Sequence, residues 1–333
     1  MPDMALTYDY LKKGTLDIPL KAGKGSHIFQ LTKPQYAYLM YSNSDADSAK
    51  TIVYMLYLSP GNDVNFKADL KNKDNGIAVT GKGSNNNQPL LALLADEHLE
   101  SLWGDTLPNR IIVLAKKHQN DLKVALKKYI GLYKPTPDFI KNEEINIKYD
   151  AVYQYYQYKE NNKYGIQQSY AHNEPKWKAI QDSLFATIKL NNDEALTSFN
   201  YTLLLRTFLG REKERLWMDS YKNPEAFFKQ WYNTDVTTGK KEFEDDVQNL
   251  LQEKIIKHYF TGQSAEFLYA ILFDVALNEH NPKNLVSIFD GFKLKYPGSK
   301  YISWFQPSID TIREMEKKPL TADMVLCLTM VLS

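Results

Sequence analysis

The sequence has almost no cysteine: Cys327 is the only one in 333 residues. A single thiol cannot close an intramolecular disulfide, supply a CxxC dithiol or build a thiolate zinc site. Dithiol exchange carried out by this chain alone is therefore excluded. The count leaves the cellular compartment open.

Long apolar runs are also missing. The opening residues "MPDMALTYDYLKKG" lack the basic segment, apolar core and small-residue cleavage site of a signal peptide. A bilayer-spanning helix needs about 20 apolar residues, roughly twice the length of the run at residues 324–332. We therefore expect no transmembrane segment. Cys327, set among Leu, Val and Met in "KKPLTADMVLCLTMVLS", is predicted to be a buried hydrophobe and not a reactive thiolate.

An excess of charge of either sign is absent as well. Lysine and arginine number 41 against 40 aspartate and glutamate, which gives a net charge of +1. Nucleic-acid binders usually concentrate basic charge on one face, so no nucleic-acid partner is expected. The length favours two domains, because single cores stop growing near roughly 250 to 300 residues.

The first part of the chain has the residue pattern of β-strands. The segments "TLDIPL", "HIFQL", "QYAYLMY" and "TIVYMLYL" are rich in Ile, Val, Leu and Tyr and are separated by loop compositions. Pro60 and Gly61 in "LSPGNDVNF" predict a type II turn. "GIAVTGKGSNNNQ" adds a strand and a glycine-rich exit. These patterns predict a small antiparallel, β-sandwich-like domain over residues 1–86.

The glycine-rich exit invites comparison with a phosphate-binding loop. "VTGKGSNNN" has neither the third glycine nor the GK[ST] ending of a nucleotide fingerprint, and the pattern before it is not a parallel βαβ unit. We interpret it as the loop that joins two domains.

From Pro89 onward the apolar residues recur every three or four positions, as in "LLALLADEHLESLW". We predict eight to ten helices in a helical domain over residues 87–318. "YKPTPDF" is expected to separate two helices, and Gly210, Gly262 and either Gly291 or Gly298 to fall near helix ends.

One segment near the end has a repeat-like pattern. "NPKNLVSIFDGFKLKYPGSKYI" reads as two helices joined by Tyr-Pro-Gly-Ser, the loop type of tetratricopeptide-like hairpins. Only one clear copy is visible, whereas a solenoid needs several stacked units. The predicted fold class is therefore α+β: the β domain followed by a larger, irregular helical bundle with a tetratricopeptide-like hairpin near its end.

The most unusual local composition is the tyrosine-rich stretch "YDAVYQYYQYKENNKYGIQQSYAHNEPKW". Tyrosine combines ring area with a polar tip, which suits sugars and extended peptides. The residues of this candidate ligand or partner surface are Tyr149, Tyr153, Tyr156, Tyr158 and Trp177. The alternative, which we favour, is that this face packs against neighbouring helices. The partner on the first interpretation is a protein, a peptide or a glycan.

No catalytic pattern is evident. The sequence has no nucleophile elbow and no diagnostic carboxylate pair, and none of its six histidines is spaced as in HExxH. We predict no catalytic, cofactor-binding or metal-binding residue and no cofactor. Two acids of a glycosidase can come from anywhere in a chain, so a hydrolase stays a minor alternative.

The layout resembles a known family. The segments "LYLSPGNDVNF", "AVTGKGSNNNQPLLAL" and "YPGSKYISWFQPSIDTIREMEKK", in this order, resemble the N-terminal half of thioredoxin-like thiol-disulfide oxidoreductase lipoproteins of the Gram-negative envelope, related to the alkyl-hydroperoxide-reductase and thiol-specific-antioxidant group. In that family the two regions precede a thioredoxin-like domain whose CxxC exchanges dithiols. The resemblance implies a periplasmic location and a lipid-anchored precursor.

The chain lacks the motif that carries the family's activity, because it contains no CxxC. No catalytic residue can be carried over, and residues 319–333 are expected to be the stub of a missing redox domain. The resemblance thus implies a non-catalytic accessory region, so this chain is not expected to be an enzyme. The alternative is a free-standing envelope protein that binds a glycan or peptide at the tyrosine-rich surface. The oligomeric state is left open.

Overall fold

A computed structural model describes residues 18–31 apart from 22 and 29, and residues 34–42, 51–68, 77–89, 107–162 and 167–317. The helix predicted at "LLALLADEHLESLW" and the tail at residues 319–333, with Cys327, lie outside these ranges. The chain divides into two compact units between Leu204 and Leu205, and each unit is described by itself.

The first unit opens with two β-hairpins. Strands β1 (Gln35–Ser42) and β2 (Thr51–Leu58) form one antiparallel sheet, with Gln35 opposite Leu58. Strands β3 (Asp63–Ala68) and β4 (Ile77–Lys82) form a second, with Asp63 opposite Lys82. A short 3-10 helix, Ser84–Asn86, follows.

Two predicted strands are not formed within the described residues. The described residues of segments 15–20 and 27–31 lie outside both sheets, and an isolated bridge joins Lys21 to Lys24 between them. A strand needs a hydrogen-bonded neighbour along its length. Within the described ranges neither segment has such a neighbour. The β-propensity of these short runs was therefore not enough to form a strand.

The turn prediction is confirmed. Gly61 has φ 75°, and the Asn62 N–H donates to the Ser59 carbonyl at 3.0 Å. The backbone of Gly81, near the end of β4, is constrained in the same way. Gly81 has φ 91°, and a Cβ placed there would lie 2.2 Å from the Asp63 carbonyl oxygen. Glycine at position 81 thus allows the close approach of β4 to β3.

Three long α-helices follow the hairpins in the first unit. They are α1 (Pro108–Tyr133), α2 (Pro137–Asn162) and α3 (Gln167–Phe185). The predicted break at "YKPTPDF" is confirmed, since α1 ends at Tyr133, Lys134 adopts φ 48°, and Pro137 begins α2. A second 3-10 helix, Asp193–Thr197, precedes α4 (Phe199–Lys222), which continues past the unit boundary.

The first hairpin and the first two helices share a core. Its buried side chains are Tyr36, Tyr57, Leu126, Tyr129, Phe139 and Ile147. Within the described residues the strands end at Lys82 and the first α-helix begins at Pro108, whereas the compact unit extends to Leu204. The domain boundaries given in the sequence analysis stay predictions.

The second unit is helical over its described residues. After the end of α4 come α5 (Pro224–Tyr232), α6 (Val236–Asp245), α7 (Asn249–Tyr259), α8 (Gly262–Asn278), α9 (Leu285–Lys295) and α10 (Lys300–Lys317). Helices α8, α9 and α10 pack on one another through buried phenylalanines. The tight connection at residues 296–299, in which the Ser299 N–H donates to the Tyr296 carbonyl, makes α9 and α10 the predicted hairpin.

The fold class is confirmed as α+β. Ten helices lie within the described ranges, at the upper end of the expected number. Gly262 begins α8, and Gly298, one of the two alternatives for the last helix end, lies between α9 and α10, but Gly210 lies inside α4. The prediction of a helix end at Gly210 is wrong, because an interior glycine costs a helix only about 1 kcal/mol. Within the described ranges, no helix is both long and apolar enough to span a membrane.

Candidate functional site

The structure divides the five residues of the candidate surface into two groups. Tyr149, Tyr158 and Trp177 are buried, with 2%, 7% and 0% of their surface exposed. Tyr153 and Tyr156 are half-buried. A buried ring offers no area to an incoming ligand, so only Tyr153 and Tyr156 have side chains that a partner could reach in this conformation.

The buried members form interhelical contacts. The Tyr158 ring stacks on Trp177 of α3, with centroids 6.3 Å apart and planes at 16°. Tyr155, also buried, lies 5.3 Å from the same indole. The Tyr149 ring lies 4.9 Å from that of Tyr201, and its hydroxyl accepts from Asn192 Nδ2 at 3.1 Å. The side chains of Tyr149, Tyr155 and Tyr158 therefore pack α2 against its neighbours.

The two half-buried tyrosines each touch one phenylalanine edge-on: Tyr153 lies 6.1 Å from Phe199, and Tyr156 lies 6.2 Å from Phe185. Burial raises the pKa of Tyr153, with smaller contributions from Tyr38 and Asp150. This phenol therefore stays protonated at neutral pH and can donate as well as accept. The hypothesis of a ligand or partner surface stays a prediction, and the geometry narrows it to these two rings.

Two phenols of the first hairpin are hydrogen-bonded to polar side chains of α2. The Tyr36 hydroxyl donates to Glu143, and Asn142 Nδ2 donates to the Tyr57 hydroxyl at 2.8 Å. Burial raises the pKa of Glu143, and the hydrogen bonds from Tyr36 and Asn146 oppose that shift. Burial and the nearby Glu143 raise the pKa of Tyr36 well above its ordinary value. This cluster holds the hairpin to the helix.

A second buried ionisable pair joins α1 to α2. His118 Nδ1 lies 2.8 Å from Asp150 Oδ2, and both side chains are almost fully buried. Gln154 Nε2 donates to the other carboxylate oxygen at 3.2 Å. Histidine spacing could not reveal this pair, because its members are 32 positions apart on two helices. Its position across the helix interface makes it a structural tie.

The asparagines of the exit loop form hydrogen bonds to backbone groups of distant residues. Asn87 Oδ1 accepts from the Tyr57 N–H at 2.6 Å, and Asn87 Nδ2 donates to the Tyr57 carbonyl at 3.0 Å. The Asn87 side chain thus satisfies both backbone groups of Tyr57, as a neighbouring strand would. Asn86 Oδ1 accepts from the Thr136 N–H between α1 and α2 at 2.8 Å.

These bonds connect strands to helices, as expected of a joining loop. The sequence signal was present in the three consecutive asparagines, whose amides bond readily to backbone groups. The partners could not be read from the sequence, because Tyr57 and Thr136 lie 30 and 50 positions away. No side chain of this loop was predicted as functional, and its role here is structural.

Within the described ranges no three His, Cys, Asp or Glu side chains are grouped so as to hold a metal ion. Comparison with known proteins adds no relative: no protein-family model, curated protein or solved structure matches the chain. The geometry thus defines an α+β protein in which hydrogen-bonded tyrosines and asparagines hold the first hairpin and the loop after β4 against helices α1 and α2.

Proposed function

We propose that the chain is the non-catalytic accessory region of an envelope thioredoxin-like thiol-disulfide oxidoreductase. The observation that carries the proposal is the layout: two small β-hairpins, then helices, then a helical hairpin with a Tyr-Pro-Gly-Ser connection. This order matches the region that precedes the redox domain in the family that the sequence resembles. On this proposal the protein acts in the periplasm, from a lipid-anchored precursor.

The polar clusters support an accessory role. Three ionisable groups of the first unit, Glu143, His118 and Asp150, are each bonded across the interface between two elements. Asn87 is likewise bonded to backbone groups of another element. Side chains used in this way position strands and helices relative to one another. They would give a tethered redox domain a rigid support.

The coding DNA beyond codon 333 tests the proposal. We expect an in-frame or frame-shifted segment that encodes a thioredoxin-like domain with CxxC. Unrelated sequence in all three frames would overturn the proposal. If the segment is found, the joined protein should reduce disulfides, and removing residues 18–317 should change which protein substrates it reduces without abolishing reduction of a small disulfide.

The second candidate is a free-standing binding protein for a glycan or peptide, and the partial exposure of Tyr153 and Tyr156 favours it. Replacing both by serine should abolish binding on a glycan or peptide array while the fold is retained. Replacing Tyr158, which is buried, serves as the contrasting variant because it should lower stability. If no array component depends on Tyr153 and Tyr156, this candidate is rejected.

A further inference from the structure

Helix α1 carries a concentration of positive charge that the whole-chain total conceals. Its 26 residues include six lysines and arginines against one aspartate, in a chain whose net charge is only +1. Lys116, Lys123, Lys127 and Lys128 are exposed. Within this helix Lys117 forms an ion pair with Asp121 at 2.8 Å. Most of this positive charge therefore faces solvent.

The basic residues follow an internal repeat. "VLAKK" begins at Val113 and "VALKK" at Val124, eleven positions later. Eleven residues make three turns of an α-helix, so the two copies lie on the same face, about 16 Å apart. Within each copy the valine precedes two lysines by three and four positions, which places it between them on the helix surface.

Both valines are exposed, although valine is usually buried. Val113 is 64% exposed and Val124 is 69% exposed. The opposite face of α1 supplies the core of the unit, through residues that include Ile111, Leu126 and Tyr129. The helix thus has a buried face that folds the unit and an outer face with a central apolar line flanked by lysines.

We propose that this outer face of α1 docks on a membrane surface rich in anionic lipid headgroups. Lysine ammonium groups neutralise headgroup phosphates, and long lysine stems let the valines reach the acyl boundary. Phosphate neutralisation alone would fit a nucleic acid equally well. The exposed valines favour the membrane, because an aliphatic side chain at the centre of the contact gains nothing from a phosphodiester backbone. This inference is independent of the proposed redox role.

Vesicle sedimentation with the full chain tests the proposal. We compare vesicles of phosphatidylcholine alone with vesicles that contain a large fraction of phosphatidylglycerol. The chain should bind the anionic vesicles and not the neutral ones, and added salt should weaken binding. Equal binding to both vesicle types, or binding to neither, would overturn the proposal.

A triple variant locates the surface. Replacing Lys116, Lys127 and Lys128 by glutamine should lower vesicle affinity at least about tenfold, because each lysine near an anionic surface contributes roughly a fivefold factor. The matched control replaces Lys222, Lys229 and Lys241, three exposed lysines of α4, α5 and α6. It removes the same charge and should change affinity less than about twofold. If the two triple variants lose equal vesicle affinity, the loss reflects net charge. The proposal that the outer face of α1 is the docking surface would then be wrong.

A valine variant distinguishes a membrane ligand from a nucleic acid. Changing both Val113 and Val124 to serine should weaken vesicle binding at elevated salt, where the apolar contribution dominates, while circular dichroism stays unchanged. A 20-base-pair DNA duplex serves as the competing ligand. If the duplex binds with dependence on the α1 lysines and the vesicles do not, the face belongs to a nucleic acid and the membrane proposal is wrong.

Discussion

The two compact units fill their cores with different aromatic residues. In the first unit the buried rings are mainly tyrosines, such as Tyr57 and Tyr129, whose hydroxyls bond to neighbouring elements. In the second they are mainly phenylalanines, such as Phe273 and Phe289, whose rings pack edge-on against each other. The buried rings of the first unit therefore add hydrogen bonds to their packing, whereas those of the second contribute mainly by packing.

This difference has an energetic meaning. A buried hydrogen bond contributes about 1 kcal/mol net, but a buried group that loses its partner costs about 1 to 3 kcal/mol. A buried ring contributes through the area it removes from water and through close packing. Substitutions that remove one polar partner should therefore affect the first unit most, and substitutions that open cavities the second.

The largest effect is expected from Phe273→Ala in α8. The ring is fully buried, and its centroid lies 5.3 to 5.4 Å from those of Phe289, Phe292 and Phe305. Truncation should destabilise the second unit by about 3 to 5 kcal/mol, because the rigid neighbours cannot refill the space. Urea unfolding, with hydrogen exchange to separate the units by peptide, measures the loss.

Leu294 in α9 provides the control for that cavity. It is 86% exposed, so Leu294→Ala should change the free energy of unfolding by less than about 0.5 kcal/mol. A small effect at Phe273 would mean that the second unit does not depend on close packing. The contrast between the two units would then fail.

The next largest effect is expected from Asn87→Ala in the loop after β4. The substitution leaves both the N–H and the carbonyl of Tyr57 without their side-chain partner. We expect a loss of about 2 to 4 kcal/mol in the first unit, since two buried backbone groups lose a bond together. Hydrogen exchange at Tyr57 should increase more than exchange in α8.

Asn85→Ala is the matched change within the same loop. The Asn85 amide makes an exposed bond to the Lys134 carbonyl, so its removal should cost less than about 1 kcal/mol. If Asn85→Ala and Asn87→Ala have equal effects, the loop is merely sensitive to substitution. The strand-like bonding of Asn87 would then have no special role.

Sequence patterns predicted the elements better than their contacts. Helical periodicity and the prolines of "YKPTPDF" gave the helices and the break before Pro137, because these signals act within a few residues. Which tyrosines become buried could not be predicted, since Tyr149 and Tyr153 share a helical row and both contact α4, yet only Tyr149 is buried. The Asn87 bonds and the His118–Asp150 pair join positions far apart in the chain.

The basic face of α1 was missed for another reason. Net charge is a sum over the whole chain, and acidic residues elsewhere cancel the lysines of this helix. The repeat "VLAKK…VALKK" was a local signal of period eleven that a count of charges does not detect. Charge pattern along one predicted helix is thus more informative than composition.

The smallest effect is expected at Glu143, the carboxyl group of the first unit that accepts a hydrogen bond from Tyr36. Its pKa is raised by burial, so the folded first unit holds this proton more tightly than the unfolded chain does. The resulting stabilisation is complete below the ordinary glutamate pKa and is lost as the pH rises through the raised value. The free energy of unfolding of Glu143→Gln, whose amide oxygen still accepts from Tyr36, should lack this dependence on pH.

Tyr36→Phe sharpens the same test. The hydrogen bond from Tyr36 lowers the pKa of Glu143, so removing the hydroxyl should raise that pKa further and extend the loss of stability to higher pH. It should also cost about 1 kcal/mol at neutral pH, because the carboxyl group loses a buried donor. Urea unfolding across the acidic to neutral range measures both effects. Identical pH profiles for the parent chain and Glu143→Gln would show that the carboxyl group is not desolvated where the hairpin meets α2.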